Sequence, residues 1–537
     1  MTIDRRSVLG LLGAGAALPG EATALPATPV VSFDHGVASG DPSTAGAILW
    51  TRVTPPAGHA SPVPVTWHVA DDGGVVASGK AEARPARDWT VKVEPRTLMP
   101  GRTYRYWFEA AGVRSPEGRV RTLPVGPTPD LVLAVATCAL YPGGYFNAYR
   151  AIADLPRVDA VVHLGDYIYE YGMDGYGGAI GRKLGRVVEP AHEIVTLADY
   201  RARHALYKRD PDLQACHARA AMIAVWDDHE TANDSWTGGA ENHQPATEGS
   251  WAARKAAAMQ AYFEWMPIRE PLPGRPWEAI NRAFRFGDLA TLAMVETRLL
   301  ARSEQTEVDK HTEPAFFAAA LKTRADPSRE MLGEAQRRWL EGELKRSIDA
   351  GVPWQVLGNQ VVMARVKGVA IDPAQVAPTY RPQVEAAQAS YAAGLPFNLD
   401  SWDGYPAARE RLYASFRRAG SRPLVLSGDS HAHWANRLAD AGGTPVAAEF
   451  ATTAITSPSI GDVMPAVPVG QLLADASEEV LFCDQRAKGY ILLTLTPDRA
   501  RADYRAVSTI MAKPFTERTV ATYEVRAGDR AVEMRRM

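Results

Sequence analysis

Five runs of apolar residues in this sequence end in side chains that bind metal ions or move protons. Residues 133–136 lead into Thr137-Cys138, and 161–164 into Gly165-Asp166, with Tyr169 three residues on. Residues 223–226 lead into Asp227-Asp228-His229-Glu230, 354–357 into Gly358-Asn359, and 424–426 into Ser427-Gly428-Asp429-Ser430-His431. Short apolar runs of this kind are buried strands, and strand ends are where polar groups collect on a rigid base. Taken singly, a strand-end Asp or Asn is a cap or turn residue and a lone Cys a small buried hydrophobe. Together they point to a metal site. Cys138 thiolate, Tyr169 phenolate and His431 imidazole suit a transition metal, while Asp228, Asn359 and Asp429 present oxygen, the ligand of a hard cation such as Ca²⁺.

The elements that position them form a layered α/β pattern. Buried strands at 131–136, 160–164, 222–226, 292–295, 354–357 and 424–426 alternate with helical stretches at 250–265, 331–349 and 407–418. In the second of these helices Leu332, Ala335, Trp339, Leu340 and Leu344 make a core-facing stripe. From residue 30 to about 123, short β-prone runs separated by turn clusters predict a small antiparallel sandwich of immunoglobulin or fibronectin type. The proline-rich segment 124–129 reads as the linker, and the glycine-rich loop 172–185 as ordered structure beside a site.

Of the 537 residues, 46% are hydrophobic and 23% charged, which excludes a mainly disordered or fibrous chain. A net charge of −3 gives no reason to expect nucleic acid or an anionic membrane as the main partner. Three cysteines, Cys138, Cys216 and Cys483, do not make a disulfide framework and leave at least one thiol unpaired. Residues 1–24 read as an address: Arg5-Arg6, a weakly apolar stretch to Leu18, then Ala22-Thr23-Ala24 where a peptidase cuts. The apolar part is shorter than the roughly 20 residues that span a bilayer. The paired arginines resemble a twin-arginine signal, whose machinery exports folded proteins, so the expected location is periplasmic or secreted.

Gly165-Asp166 with Tyr169, Asp228-His229-Glu230, and Gly428-Asp429 with His431 resemble, in this order, the dispersed motifs of calcineurin-like metallophosphoesterases. The fuller strings His163-Leu164-Gly165-Asp166-Tyr167-Ile168-Tyr169-Glu170-Tyr171, Trp226-Asp227-Asp228-His229-Glu230 and Ser427-Gly428-Asp429-Ser430-His431 resemble the alkaline phosphatase D (PhoD-like) family. Gly36-Val37-Ala38-Ser39-Gly40-Asp41-Pro42 with Leu49-Trp50-Thr51-Arg52 is similar to that family's N-terminal domain. The likeness covers nearly the whole chain after the signal. It implies an α+β layered fold, a metallophosphoesterase β-sandwich core flanked by helices and preceded by the small all-β sandwich. The divisions expected are a signal at 1–24, a β-sandwich domain at 30–124, a catalytic domain at 129–515 and a C-terminal tail at 516–537.

The activity implied is hydrolysis of phosphate mono- or diesters, with Fe(III) and Ca(II) in one site bridged by Asp166. His229 would contact phosphate or protonate the leaving oxygen. Where metallophosphatases commonly place Asn this chain has Asp228, and where they commonly place a ligand His it has Asn359 and Asp429; these differences favour Ca²⁺ over a uniform di-zinc site. Asn233 and Asp234 offer a further Ca²⁺ or a turn pair, and Arg201 and Arg203 a bidentate phosphate grip or a solvated helix face. Two departures from the family pattern are Glu296 in place of an Asp, and Trp265 in place of a His at the expected substrate entrance. Two cations about 3.5–4 Å apart neutralise phosphate oxygens and acidify a bound water, so direct hydrolysis without a covalent phospho-enzyme is expected.

Two rivals start from other features. Ser430 beside His431 suggests a serine hydrolase, but adjacent residues seldom form a nucleophile–base pair and no Gly-x-Ser-x-Gly elbow surrounds Ser430. A secreted surface-binding protein with a degenerate phosphoesterase domain fits the sandwich and the signal, yet gives Cys138, Asp166, Asp228 and His431 nothing to do. The choice between monoester and diester rests on loops 172–192 and 236–249, whose shape the sequence leaves open.

Overall fold

The computed structural model describes residues 31–308, 311–528 and 532–537, so the signal expected at 1–24 lies outside the described residues. Strands Leu131–Ala136, Ala160–His163 and Ala221–Ala224 run parallel at the centre of a ten-stranded mixed sheet. A second, seven-stranded sheet has Ala290–Met294, Trp354–Gly358, Leu424–Ser427 and Pro445–Ala451 parallel at its centre. Leu133, Val161 and Ile223 from the first sheet share one continuous core with Leu292, Val356, Leu426 and Phe450 from the second, so the sheets pack on each other. Helices Gly333–Asp349 and Pro406–Ala419 cover the far face of the smaller sheet, where Leu340, Leu344, Leu412 and Phe416 meet Leu357 and Val425. Because the central strands of each sheet are parallel, their C-terminal ends converge, and the five strand ends singled out in the sequence arrive at one place.

The helical stripe differs from the expectation at one position. Ala335 is exposed and Gln336 is buried in its place. Its amide donates to the Glu296 carbonyl at 2.8 Å and accepts from the Glu296 N–H at 2.7 Å, so a backbone group that would be orphaned at a strand end selects a polar residue for the core.

The N-terminal region is all β, but its two sheets are not a free-standing sandwich. Val63–Asp71, Gly74–Ala83, Thr103–Ala110, Val113–Arg114 and Gly118–Arg121 form a separate antiparallel sheet. Val37–Gly40, Ile48–Arg52 and Thr90–Val93 instead extend the ten-stranded sheet, with Gly40 opposite Met222. Gly40 makes this pairing possible, since an added Cβ would lie 2.2 Å from the Pro267 carbonyl oxygen and 2.5 Å from that of Met222. The next residue, Asp41, is fully buried and accepts from Arg282 Nε at 2.9 Å and from the Arg269 N–H at 2.8 Å. The Gly36–Pro42 string is thus the seam between the two regions. Trp265, expected at a substrate entrance, is buried in this seam against Trp50 and His35, at ring separations of 5.8 and 5.2 Å.

The segment expected as a C-terminal tail is a sheet strand. Glu517–Arg526 pairs antiparallel with Arg499–Val507 and buries Tyr523 and Val525. Its alternation of apolar and polar residues is that of a half-buried strand, and it gives the preceding strand a partner. Among the described residues, no helix is long and apolar enough to cross a membrane.

Candidate metal centre

The strand ends bring three overlapping groups of donor atoms together: Cys138, Asp166 and His431; Asp166, Asp228 and His229; and Asp166, Asp227, Asp228 and Asp429. Within each group the donor atoms lie within 4.8 Å of one another, and Asp166 belongs to all three. Cys138, Asp166, Asp429 and His431 have φ of 58, 56, 60 and 55°, left-handed values that favour glycine. Backbone strain of this kind persists where the surroundings over-determine it, as at ligand clamps. Here each strand end turns sharply to aim its side chain inward.

On one side, Tyr169 donates to Asp166 Oδ2 at 2.9 Å and sits 3.4 Å from His431 Nε2, while Cys138 Sγ lies 3.4 Å from Asp166 Oδ2. His431 donates from Nδ1 to the Pro458 carbonyl at 2.7 Å, which leaves Nε2 with its lone pair turned toward Tyr169. A ligand histidine is ordinarily fixed in this way, and burial holds the His431 pKa down at about 3, so the ring stays neutral. Ser457 Oγ supports the same side, lying 2.7 Å from the Tyr169 oxygen and 3.0 Å from the Cys138 carbonyl, between which its one proton is shared.

The other side is acidic. Asp166 Oδ1, Asp227 Oδ2 and Asp228 Oδ1 are buried without a hydrogen-bond partner. Burial, reinforced by neighbouring carboxylates, pushes the pKa of Asp166, Asp429 and Asp234 well above the usual range, and that of Asp227 up to about 6. Asp228 moves the opposite way: burial pulls it up, but Arg298 and His229 together hold it below the usual range. Crowded, partly unsatisfied carboxylates are costly unless a cation joins them, and the donors divide as thiolate, phenolate and imidazole against oxygen. The residues present therefore fit a pair of cations of different hardness.

Arg298 and Glu170 join the site without a role expected from the sequence, and Glu296 and Glu230 support it. Arg298 is fully buried, with Nε 2.5 Å from Asp227, a bidentate pair to Asp400 at 2.7 and 2.9 Å, and Nη2 3.7 Å from both Asp228 and Asp429. It follows the buried strand Ala290–Met294, the position at which the other site residues were found, and that was the available signal. Glu296, the departure from an expected Asp, accepts from Trp226 Nε1 and from the N–H groups of Arg298, Leu299 and Leu300, so its longer side chain shapes the turn that carries Arg298. Glu170 accepts from His229 Nδ1 at 2.7 Å, the Asn233 N–H at 2.7 Å and Asn242 Nδ2 at 2.9 Å. Burial pulls the His229 pKa down, but Asp228, Glu170 and Asp166 outweigh it and set it well above the ordinary value. Glu230 ties two loops together by accepting from the N–H groups of Asp166, Tyr167 and Asp227.

Other expected residues go elsewhere. Asn359 uses its amide on Trp402 Nε1 at 3.0 Å, the Val361 carbonyl at 2.5 Å and Ser427 Oγ at 3.1 Å, which makes it a support of its loop. Asp234 lies beside Asp228 and donates its N–H to Asp228 Oδ2 at 2.7 Å, whereas the Asn233 side chain turns to Glu241. Arg201 is bound in a two-point pair to Glu264 at 2.7 Å and to the Ala86 carbonyl. Arg203 is fully buried and donates to the carbonyls of Tyr169, Tyr171, Glu189, Pro190 and His192. Neither arginine is a phosphate grip: one fastens the N-terminal region, the other builds the wall behind Tyr169. Ser430 Oγ accepts from Trp434 Nε1 at 2.9 Å, an arrangement unlike an activated serine nucleophile.

The sequence profile described as PhoD-like phosphatase matches residues 133–504, the stretch that supplies every strand end in the cluster. The chain belongs to the PhoD-like phosphatase family. A second profile, the N-terminal domain of PhoD-like phosphatases, matches residues 20–124. Alkaline phosphatase D of Bacillus subtilis (strain 168) is 35% identical over 524 residues, covering 94% of this chain and 82% of that one. A solved structure of PhoD superposes with a TM-score of 0.77 at 30% identity, covering 96% of this chain and 93% of that chain. As a member of the PhoD-like phosphatase family the protein is a phosphoric ester hydrolase, which removes both the serine-hydrolase and the pure binding-protein readings.

Proposed function

We propose that the protein is an exported, metal-dependent alkaline phosphatase or phosphodiesterase that hydrolyses phosphate mono- or diesters without a covalent intermediate. The observation that carries this reading is the sharing of Asp166 among three donor groups whose buried carboxylate oxygens lack partners. Cys138, Tyr169 and His431 would hold Fe(III), Asp228 and Asp429 would hold Ca(II), and Asp166 would serve both. When bound, the ions supply the positive charge that draws in the phosphate oxygens and acidifies a water for in-line attack. Asp234, next to Asp228, is placed to assist a further Ca²⁺. Export rests on the Arg5-Arg6 string and the apolar stretch that follows it.

The chain's own chemistry centres on His229. Its Nδ1 proton is held by Glu170, so the ring is fixed and Nε2 remains free to carry a proton to the leaving ester oxygen. The Glu170 carboxylate, 2.7 Å from Nδ1, favours the protonated ring and so supports that role. Arg298 keeps Asp227, Asp228, Asp400 and Asp429 from repelling one another apart.

A mild chelator should remove Ca²⁺ before iron, because oxygen-only ligands release an ion sooner than a thiolate, phenolate and imidazole set. Hydrolysis of paired monoester and diester substrates is expected to stop on chelation and return with added Ca²⁺, with iron content constant throughout. Restoration by Zn²⁺ alone would point to a di-zinc enzyme.

A further inference from the structure

Beside the cluster, two tyrosines stand where no function has been assigned. Tyr171 and Tyr176 are half-buried and meet at a ring separation of 5.9 Å and an angle of 68°, forming a corner. Tyr171 packs 5.4 Å from the ring of His229, and Tyr176 lies nearly parallel to His431 at 6.4 Å. The corner therefore touches both the proposed proton donor and the far edge of the donor set.

The corner is rigid. Tyr176 donates to the Pro458 carbonyl at 2.8 Å, the same carbonyl that fixes His431. The loop between the two tyrosines and the helix that follows is closely packed: a Cβ on Gly178 would fall 1.9 Å from the Met173 carbonyl oxygen, and one on Gly177, whose φ is 79°, would strike Leu140 at 2.7 Å. Arg182 closes the loop by donating to the same Met173 carbonyl at 2.6 Å. Flat rings fixed in this way bind other flat rings with little entropy lost on ordering.

The two arginines expected to grip the substrate are committed elsewhere, so what the corner presents to a ligand is its ring faces. Aromatic faces carry the negative side of the ring quadrupole, which disfavours an anionic group and lets a flat uncharged ring gain contact.

We infer that Tyr171 and Tyr176 form a subsite for the organic group of the substrate, selecting phosphate esters whose ester group carries a planar, uncharged ring. The inference rests on the phosphoesterase reading for its placement beside His229, but its recognition chemistry is independent of turnover. The test compares phenyl and methyl phosphoesters for kcat/KM, and phenylphosphonate and methylphosphonate for binding, in wild type, Tyr171→Ala, Tyr176→Ala and Tyr176→Phe. The ratio of phenyl to methyl should fall about tenfold in both alanine variants, the size expected for one lost ring-on-ring contact. Tyr176→Phe, which keeps the ring but loses the hydrogen bond to Pro458, should fall between wild type and Tyr176→Ala. A ratio unchanged in both alanine variants overturns the subsite. Wild-type protein that hydrolyses neither ester yet binds phenylphosphonate more tightly would retire the phosphoesterase reading and keep the subsite. Equal binding of the two phosphonates overturns the subsite whatever the turnover.

Discussion

Asp166→Ala is expected to lower kcat/KM by about 10³-fold or more, because the one side chain common to all three donor groups is lost. Its Oδ2 holds Tyr169 and approaches Cys138, while its Oδ1 has no partner in the protein, so both halves of the centre lose a donor at once. The fold should survive. Burial and the nearby Asp228 and Asp227 raise the Asp166 pKa well above its unfolded value. Between the unfolded and folded pKa values the native state binds the extra proton, so stability falls as pH rises through that window. At neutral pH the raised Asp166 pKa thus opposes folding of the metal-free chain, and the metal-free variant should melt no lower than metal-free wild type. Asp228→Ala should be as inactive but should melt lower. The Asp228 pKa is depressed by Arg298 and His229, so its charge contributes stability above the unfolded pKa, and its loss leaves Arg298 with one less carboxylate. Steady-state kinetics and melting curves on the two variants decide the matter; more than a tenth of wild-type turnover in either would show its role to be misassigned.

His229→Ala should behave differently, losing about 10²- to 10⁴-fold in turnover while keeping both metals. The difference arises because Nδ1 is committed to Glu170, leaving the ring to act on substrate through Nε2. Glu170→Gln should show a smaller loss, since the amide still contacts the ring but no longer carries the charge that favours the imidazolium. Metal analysis beside the kinetics separates the roles. Iron or calcium missing from His229→Ala would make the histidine a ligand.

Strand ends were legible because burial leaves a plain signature: an apolar run, then a polar residue with nowhere to go but the loop. Cys138, Asp166, Tyr169, Asp228, Asp429 and His431 all follow such runs, and the structure gathers them. Asn359 carries the same signature, yet its amide is taken by Trp402, a partner 43 residues away that no local pattern announces. Arg201 and Arg203 sit on a helix whose face could be read as solvent or ligand; Glu264 and six backbone carbonyls claim them through contacts distant in sequence. Asp400 offered no cue, because it lies in a loop and matters only through Arg298. At the level of the fold, the N-terminal strands read correctly as β. That three of them join the ten-stranded sheet depends on Gly40 approaching Met222, a register that alternation alone does not specify.

The measurement that bears most directly on the centre is anomalous X-ray scattering from crystals of the protein as purified, recorded on both sides of the iron absorption edge. Two cation positions are expected. One should show the iron edge and lie against Cys138 Sγ, the Tyr169 oxygen, His431 Nε2 and Asp166; the other should show no such edge and lie among Asp166, Asp228 and Asp429. No iron edge at either position, or density for a cation at neither, would contradict the account.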